Sequence, residues 1–147
     1  MSIEQHDLAA NKAAVIRYMT ASQRNDFDTM AEILHEDCLR YFPRPGVHAD
    51  PTTRGSANII GHLPHRSHYV QGTLEMEVEN MVAEGPLVTV QFSLKAKTAD
   101  GRDYENFYHF LFELHHGRIT KFYEYCDTMY GAQMLRPEAL KEAAAAI

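Results

Sequence analysis

The stretch from Tyr104 to Asp127 constrains the fold most, because it has the pattern of one β-hairpin with two different faces. Aromatic and β-branched residues dominate both arms of YENFYHFLFELHHGRITKFYEYCD, as is typical of strands. The letters HHG at 115–117 separate the arms. A three-residue hairpin loop needs a left-handed residue in third place, and Gly117 adopts that conformation without strain. We therefore predict a three-residue turn that pairs Leu114 with Arg118.

This register places alternate residues of the hairpin on one face. The face is apolar near the turn and polar at the far end, where a carboxylate meets a phenol, as in a ligand pocket whose polar groups lie at one end. The predicted pairs are Phe112 with Thr120, Phe110 with Phe122, Tyr108 with Glu124, and Asn106 with Cys126. The opposite face would hold Phe107, His109, Leu111, Tyr123 and Tyr125. A two-residue turn would instead slip the register by one residue and turn Glu124 to solvent.

Length and charge narrow the class of protein. A chain of 147 residues predicts one domain over 1–147. The net charge is −6, and no basic run occurs, which argues against nucleic-acid binding. The sequence shows neither a signal-peptide pattern nor an apolar run near the roughly 20 residues of a membrane span, so we expect a cytoplasmic protein. Cys38 and Cys126 are expected to be buried thiols.

The remaining pattern predicts helices early in the chain and strands late. We predict helices over Leu8–Arg24 (capped by Asp7), Phe27–His35, Ser56–Leu63, Met129–Leu135 and from Pro137 onward, and strands over Asp37–Phe42, Thr73–Ala83 and Leu87–Lys97 before the hairpin. The Pro-rich residues 43–55 are expected to form a loop over the pocket entrance. The fold class is therefore α+β, with a curved, mostly antiparallel sheet and three N-terminal helices on its concave face.

Three segments resemble a known superfamily: VIRYMTASQRNDFDTM, RGSANIIGHL and HGRITKFYEYCD. They are similar to the nuclear-transport-factor-2-like superfamily, and most to its SnoaL-like, ketosteroid-isomerase-like and limonene-epoxide-hydrolase-like branch. The resemblance covers about residues 8–136. It implies a cone-shaped, cystatin-like α+β barrel with a hydrophobic pocket, a fold that hosts isomerases, cyclases, lyases, hydrolases and non-catalytic binders.

The resemblance to ketosteroid isomerases is incomplete at their catalytic residues. A tyrosine on the first helix of those enzymes forms part of the oxyanion hole, and Tyr18 falls at that position. Their general-base aspartate would fall at Phe42, and their protonated aspartic acid at Tyr108. Both acids are therefore absent, which disfavours steroid isomerisation by that mechanism, although Tyr108 retains a hydroxyl.

The resemblance to the other two branches identifies candidate catalytic carboxylates. Limonene epoxide hydrolases use an Asp-Arg-Asp relay, in which Glu124 falls at one aspartate while the other two positions fall near Gln91 and Ser93. SnoaL-like cyclases use one acid/base carboxylate in a hydrophobic cavity, and here Glu124 is one candidate and Asp127 a second. Asp127 is also a preferred N-cap residue, and capping of the helix that follows it is the stronger interpretation.

We therefore expect a cofactor-independent enzyme of isomerase, cyclase or lyase type that acts on a hydrophobic cyclic or aromatic carbonyl compound. The alternatives are a non-catalytic binding protein for a small apolar ligand and a partner-binding domain. The catalytic candidates are Glu124, Tyr18 and Asp127, and the candidate substrate contacts are Tyr108, Asn106, Phe42, Phe110, Phe122, Cys126 and His62.

No metal site is predicted, because Pro64 interrupts the helix that would align His62, His65 and His68. The aromatic residues on the opposite face of the hairpin predict a homodimer through that face of the sheet.

Overall fold

The computed structural model describes residues 5–43, 50–61 and 68–135. It contains helices α1 (Leu8–Arg24), α2 (Phe27–Ile33), α3 (Ser56–Gly61) and α4 (Thr128–Leu135), and strands β1 (Leu34–Tyr41), β2 (Thr52–Arg54), β3 (Glu75–Glu84), β4 (Leu87–Lys97), β5 (Asp103–His115) and β6 (Arg118–Cys126). The strands form one sheet in the order β2-β1-β6-β5-β4-β3. All neighbours are antiparallel except β1 and β6, which are parallel. The predicted α+β class with a mostly antiparallel sheet is confirmed.

Local sequence signals set the ends of the first two helices. Asp7 accepts a hydrogen bond from the backbone amide of Ala10 at 3.0 Å, and Asp26 accepts one from that of Thr29 at 3.1 Å. Each carboxylate thus satisfies an N–H group that a helix start leaves unpaired. Asn25 adopts a φ of 55° between the two helices, a conformation that asparagine tolerates better than most residues. The predicted bounds and cap of α1 are confirmed.

The core lies between the helices and one face of the sheet. Each of the first three helices contributes a fully buried residue, namely Val15, Met30 and Ile59. They pack against buried side chains of the last three strands, which are Val88, Val90, Phe92, Phe112, Leu114, Ile119 and Phe122. Burial of each such side chain stabilises the fold by roughly 1.5–3 kcal/mol. We call the helix-facing side of the sheet its inner face and the opposite side its outer face. Among the described residues, no helix has the length and apolar character of a membrane span.

The segment after β1 differs from the prediction. Residues 52–54 were predicted to lie in a loop but form β2, which pairs with β1 so that Leu39 lies opposite Arg54. Three residues are too few to show an alternating pattern. Strand β1 also begins earlier than predicted, at Leu34, because α2 ends at Ile33. Residues 44–49, the C-terminal end of the predicted third helix and the predicted helix after Pro137 lie outside the described residues.

The turn between β5 and β6 also differs from the prediction. His115 pairs with Arg118, so the loop has two residues rather than three. His116 and Gly117 adopt positive φ values of 50° and 76°, as both central residues of a type I′ hairpin turn do. The predicted three-residue turn is therefore wrong. Its Gly117 does adopt the left-handed region, but His116 does so as well.

A β-bulge restores the predicted faces beyond the turn. Leu114 pairs with Ile119 and Glu113 pairs with Lys121, so Thr120 is an additional residue on β6. The Thr120 hydroxyl donates to the Glu113 carbonyl at 3.1 Å. The shorter turn and the bulge each shift the register by one residue. Together they shift it by two residues, which returns each side chain to its predicted face but changes its partner. The observed pairs are Phe112 with Phe122, Phe110 with Glu124, and Tyr108 with Cys126.

Candidate functional site

An ion pair joins β1 to β6 on the inner face of the sheet. Arg40 donates from Nε and Nη2 to the two carboxylate oxygens of Glu124, each at 2.8 Å. The side chains are only 24% and 14% exposed. Two parallel charge-assisted bonds fix the orientation of both groups. The Glu124 carboxylate is therefore held in one position.

The position of Arg40 follows from the alternation along β1. Successive side chains of a strand point to opposite faces, so residues two apart share a face. Cys38 is fully buried on the inner face, Arg40 follows it by two residues, and the Arg40 guanidinium lies 5.0 Å from the ring centroid of Phe42. Arg40 was not among the predicted site residues. The signal that could have indicated it was a cation between a cysteine expected to be buried and a phenylalanine, at the spacing of one strand face.

The charge of Arg40 is stabilised by its partner. Burial alone would lower the pKa of Arg40, but the charge and hydrogen bonds of Glu124 raise it, and the pKa lies above its ordinary value. Each Glu124 oxygen accepts one bond from Arg40 and keeps a second lone pair. Glu124 can therefore still accept a proton or a hydrogen bond from a ligand.

A second polar cluster lies on β5, at the open end of the hairpin. Asn106 is 1% exposed. Its Nδ2 donates to Tyr104 Oη at 2.9 Å and to the backbone carbonyl of Asp127 at 3.0 Å, and its Oδ1 accepts from the backbone amide of Phe107 at 2.8 Å. Tyr104 Oη lies 2.8 Å from Tyr108 Oη. Every polar atom of the Asn106 amide thus has a protein partner, although sequence analysis predicted a ligand contact.

Both phenols of this cluster resist ionisation. Burial raises the pKa of Tyr108, and the neighbouring Tyr69 and Tyr104 add to that rise. Burial also raises the pKa of Tyr104, against hydrogen bonds from Tyr108, Asn106 and Tyr69 that act in the opposite direction. Tyr104 and Tyr108 are therefore protonated at neutral pH and can donate hydrogen bonds.

The two cysteines are neutral thiols. Burial raises the pKa of Cys38 to about 12. Burial, followed by the charges of Glu124 and Asp127, raises the pKa of Cys126 to about 11. Since only the thiolate is a good nucleophile, neither environment favours covalent catalysis by cysteine. Cys126 pairs with Tyr108 and forms part of the surface around the phenol.

Two other predicted site residues pack in the core. Tyr18 is 5% exposed, and its ring contacts those of Phe112 and Phe122 at centroid distances of 5.8 and 5.6 Å. Phe122 is fully buried. Phe110 is partly buried and lies edge-on to Phe92 at 4.9 Å. His62 lies outside the described residues.

Asp127 serves as the N-cap of α4. Its Oδ1 accepts a hydrogen bond from the backbone amide of Tyr130 at 2.9 Å, and its side chain is exposed. The structure therefore separates the two candidate carboxylates. Glu124 lies on the inner face beside Arg40, whereas Asp127 lies at the strand end and satisfies a helix start.

The epoxide-hydrolase relay does not assemble here. Gln91 pairs with His109 and Ser93 pairs with Phe107, and both positions lie on the outer face, opposite Glu124. Within residues 5–43, 50–61 and 68–135, no group of three or more His, Cys, Asp or Glu side chains is placed to hold a metal ion.

A family comparison covers most of the chain. The model of the SnoaL-like domain matches residues 15–122, which is well over half of the sequence. A comparison with curated proteins returns no match for this chain.

Solved structures share the fold at low sequence identity. An NTF2-like protein of unknown function from Burkholderia pseudomallei K96243 has a TM-score of 0.76 and 17% identity, covering 86% of this chain and 98% of its own. A protein provisionally named a SnoaL-like polyketide cyclase from Jannaschia sp. CCS1 has a TM-score of 0.70 and 19% identity, covering 91% and 97%. An LEH-like epoxide hydrolase from M. tuberculosis has a TM-score of 0.67 and 21% identity, covering 94% and 98%. The predicted family resemblance is confirmed, and at these identities the solved structures establish the fold alone.

Proposed function

This chain belongs to the SnoaL-like domain family, and from that premise we propose that it is a cofactor-independent enzyme that moves a proton on a small hydrophobic carbonyl compound. The observation that supports this proposal is the Glu124 carboxylate, which is partly buried and held by two 2.8 Å bonds from Arg40. A carboxylate fixed beside aromatic side chains is suited to act as a general base. The reaction classes are isomerisation, aldol-type cyclisation and elimination, which share an enolate intermediate.

The proposed step begins with a ketone whose α-carbon lies against a free lone pair of Glu124. The C–H bond breaks, its proton passes to the carboxylate, and its electron pair forms the C=C bond of an enolate while the carbonyl electrons move to oxygen. The charge of Arg40 is close enough to stabilise the anion that develops. Return of the proton to another carbon gives isomerisation, and attack of the enolate on a second carbonyl gives cyclisation.

Tyr108 is the proposed hydrogen-bond donor to the enolate oxygen. It pairs with Cys126, two residue pairs along the hairpin from the Phe110–Glu124 pair. Tyr108 and Glu124 are therefore diagonal neighbours on one face, about 7 Å apart. That spacing accommodates a carbonyl oxygen and its α-carbon between the two side chains. Tyr18, whose ring packs against Phe112 and Phe122 on the same inner face, is the candidate for a second donor.

Deuterium exchange tests the proposal. Wild type, Glu124→Gln and Asp127→Asn are incubated in D₂O with a panel of enolisable cyclic and aromatic ketones, and deuterium uptake is measured by NMR. We expect catalysed uptake in wild type, a loss of about 100-fold in Glu124→Gln, and near wild-type uptake in Asp127→Asn. Uptake that is equal in wild type and Glu124→Gln, or absent from wild type for the whole panel, would contradict the proposal.

A binding protein without catalytic activity is the second candidate, and the pairing of its polar groups favours it. The charges of Arg40 and Glu124 neutralise each other, and the amide of Asn106 has a partner for each polar atom. Satisfied polar groups are what a passive cavity wall requires. Thermal stabilisation by a ketone that shows no deuterium uptake would support this alternative.

We also propose a homodimer through the outer face. Phe107 and Tyr125 are 60% and 46% exposed there, and Tyr41 contacts Tyr123 and Tyr125 at centroid distances of 5.5 and 6.4 Å. An apolar surface of this kind is typical of an interface, and two-fold pairing is the commonest closed assembly.

Sedimentation equilibrium tests the dimer. We expect wild type to sediment at twice the monomer mass of 16.8 kDa, and Phe107→Asp to shift the population to monomer. Wild type that is monomeric at micromolar concentration would contradict the interface.

A further inference from the structure

We infer that Tyr104 and Asn106 are positioning residues that fix the Tyr108 hydroxyl as a hydrogen-bond donor toward an oxyanion of the ligand. This inference rests on the proposed function, because it describes how the same site would hold the enolate oxygen. Tyr104 was not among the predicted site residues, and Asn106 was predicted to contact the ligand directly.

Two backbone groups determine the orientation of the Asn106 amide. A carbonyl oxygen can only accept, so the carbonyl of Asp127, 3.0 Å away, requires Nδ2 beside it. A backbone amide can only donate, so that of Phe107 requires Oδ1 at its distance of 2.8 Å. A flipped amide would leave both groups without a partner. The Nδ2 group of Asn106 therefore donates its other proton to Tyr104.

The next bond in the chain follows from the capacity of a phenol. A hydroxyl oxygen has two lone pairs and one proton. Tyr104 Oη accepts from Asn106 and keeps its own proton. An oxyanion can only accept, so Tyr108 donates its proton to a bound oxyanion. The Tyr108 oxygen then accepts the proton of Tyr104, whose Oη lies 2.8 Å away.

Packing holds the rings that carry these hydroxyls. Tyr104 is 2% exposed and contacts the rings of Tyr69 and Tyr130, each at 5.5 Å between centroids. Tyr108 stacks on Phe92 at 5.2 Å with an interplanar angle of 13°. Rings confined in this way keep their hydroxyls in place, and consecutive hydrogen bonds polarise one another.

Helix α4 covers the network from the other side. A methyl group added at Gly131 would lie 3.6 Å from Asn106 Nδ2 and 3.8 Å from Tyr104 Oη, so α4 passes close to both groups. The carbonyl of Asp127, the N-cap residue of α4, accepts from Asn106 and so ties the network to the start of this helix.

Binding of 4-nitrophenol tests the inference, because its absorbance distinguishes bound phenol from bound phenolate. The ligand is titrated into wild type, Tyr108→Phe, Tyr104→Phe, Asn106→Leu and the double variant Tyr104→Phe/Tyr108→Phe. We expect Tyr108→Phe to weaken phenolate binding about tenfold or more, as loss of a hydrogen bond to a charged group does. Tyr104→Phe and Asn106→Leu should weaken it about threefold to tenfold, after correction for the folded fraction by urea unfolding.

The double variant separates positioning from a merely structural role. If Tyr104 acts through Tyr108, Tyr104→Phe has no further effect once Tyr108 is phenylalanine. A loss of the same size in both backgrounds, no loss from Tyr104→Phe in either, or no phenolate binding by wild type would overturn the inference. The outcome is independent of deuterium exchange, which tests Glu124. Catalysed exchange with additive phenolate binding would refute the inference and leave the proposed function standing.

Discussion

The two ends of the β5–β6 hairpin share the inner face of the sheet but differ in what their side chains do. At the turn end, Phe112, Leu114, Ile119 and Phe122 are fully buried, and the rings of Phe112 and Phe122 stack at 5.5 Å. At the open end, the polar side chains bond to one another and to β1. The turn end of the hairpin thus stabilises the fold by apolar burial. The open end holds polar groups in a fixed arrangement that is suited to catalysis or binding.

The largest expected effect is at the turn end. Phe112→Ala should lower the free energy of unfolding by about 3–5 kcal/mol, because it removes a fully buried ring. Glu105→Ala is a matched control on the same strand, since its side chain is 50% exposed on the outer face, and its cost should be below about 1 kcal/mol. Urea unfolding measures both. Similar losses would remove the distinction between the two faces of β5.

The ion pair should contribute less to stability than to function. Arg40→Met leaves the Glu124 carboxylate partly buried without its partner, at a cost of about 1–3 kcal/mol. Arg40→Met/Glu124→Leu should regain most of that loss, because it removes both charges. The urea midpoints of wild type, Arg40→Met and the double variant measure the loss and its recovery. A double variant less stable than Arg40→Met would show that the pair itself stabilises the fold.

Alkaline pH should lower the stability of the fold through Tyr108, the buried phenol at the open end. An unfolded tyrosine ionises near pH 10.0, whereas burial raises the pKa of Tyr108 above that value. Above pH 10 the unfolded chain releases a proton that folded Tyr108 retains, so stability falls as pH rises, by about 1.4 kcal/mol per pH unit for this group. Between pH 10 and 11, Tyr108→Phe should therefore lose about 1 kcal/mol less than wild type. Their difference should be constant from pH 7 to 9, and parallel curves through pH 11 would contradict the assignment.

The smallest effect concerns the carboxylate at the strand end. Asp127→Ala removes the hydrogen bond to the backbone amide of Tyr130 and should cost about 1 kcal/mol. Deuterium uptake per folded molecule should stay at the wild-type level, because the proposed base is Glu124. A large loss of uptake with little change in the urea midpoint would return Asp127 to the role of acid/base group.

Alternation along single strands predicted much of the fold. The bounds of β4 and the burial of Val88, Val90 and Phe92 match the period-two pattern. The turn was missed because the letters HHG are compatible with loops of two or three residues. Ile119 and Phe122 lie three apart and are both buried, a spacing that indicates a bulge because regular alternation cannot place both on one face.

The candidate site was predictable only in part. Glu124 and Tyr108 lie on the predicted face because local alternation determines it, once the two register shifts cancel. The partner of Glu124 was missed because Arg40 precedes it by 84 residues and reaches it through the parallel pairing of β1 with β6. No local pattern encodes a contact of that range. The direction of the Asn106 bonds likewise depends on backbone groups that only the folded chain brings together.

The most direct test of the division between the two ends measures deuterium uptake and the urea midpoint on the same two variants. Glu124→Gln should lose about 100-fold in uptake per folded molecule, while its midpoint falls no further than that of Arg40→Met, since it likewise leaves one partner of the ion pair unpaired. Phe112→Leu should lower the midpoint while uptake per folded molecule stays within about threefold of wild type. If Glu124→Gln retains uptake, or if both variants lose uptake in proportion to stability, the open end of the hairpin is not the chemical site of this protein.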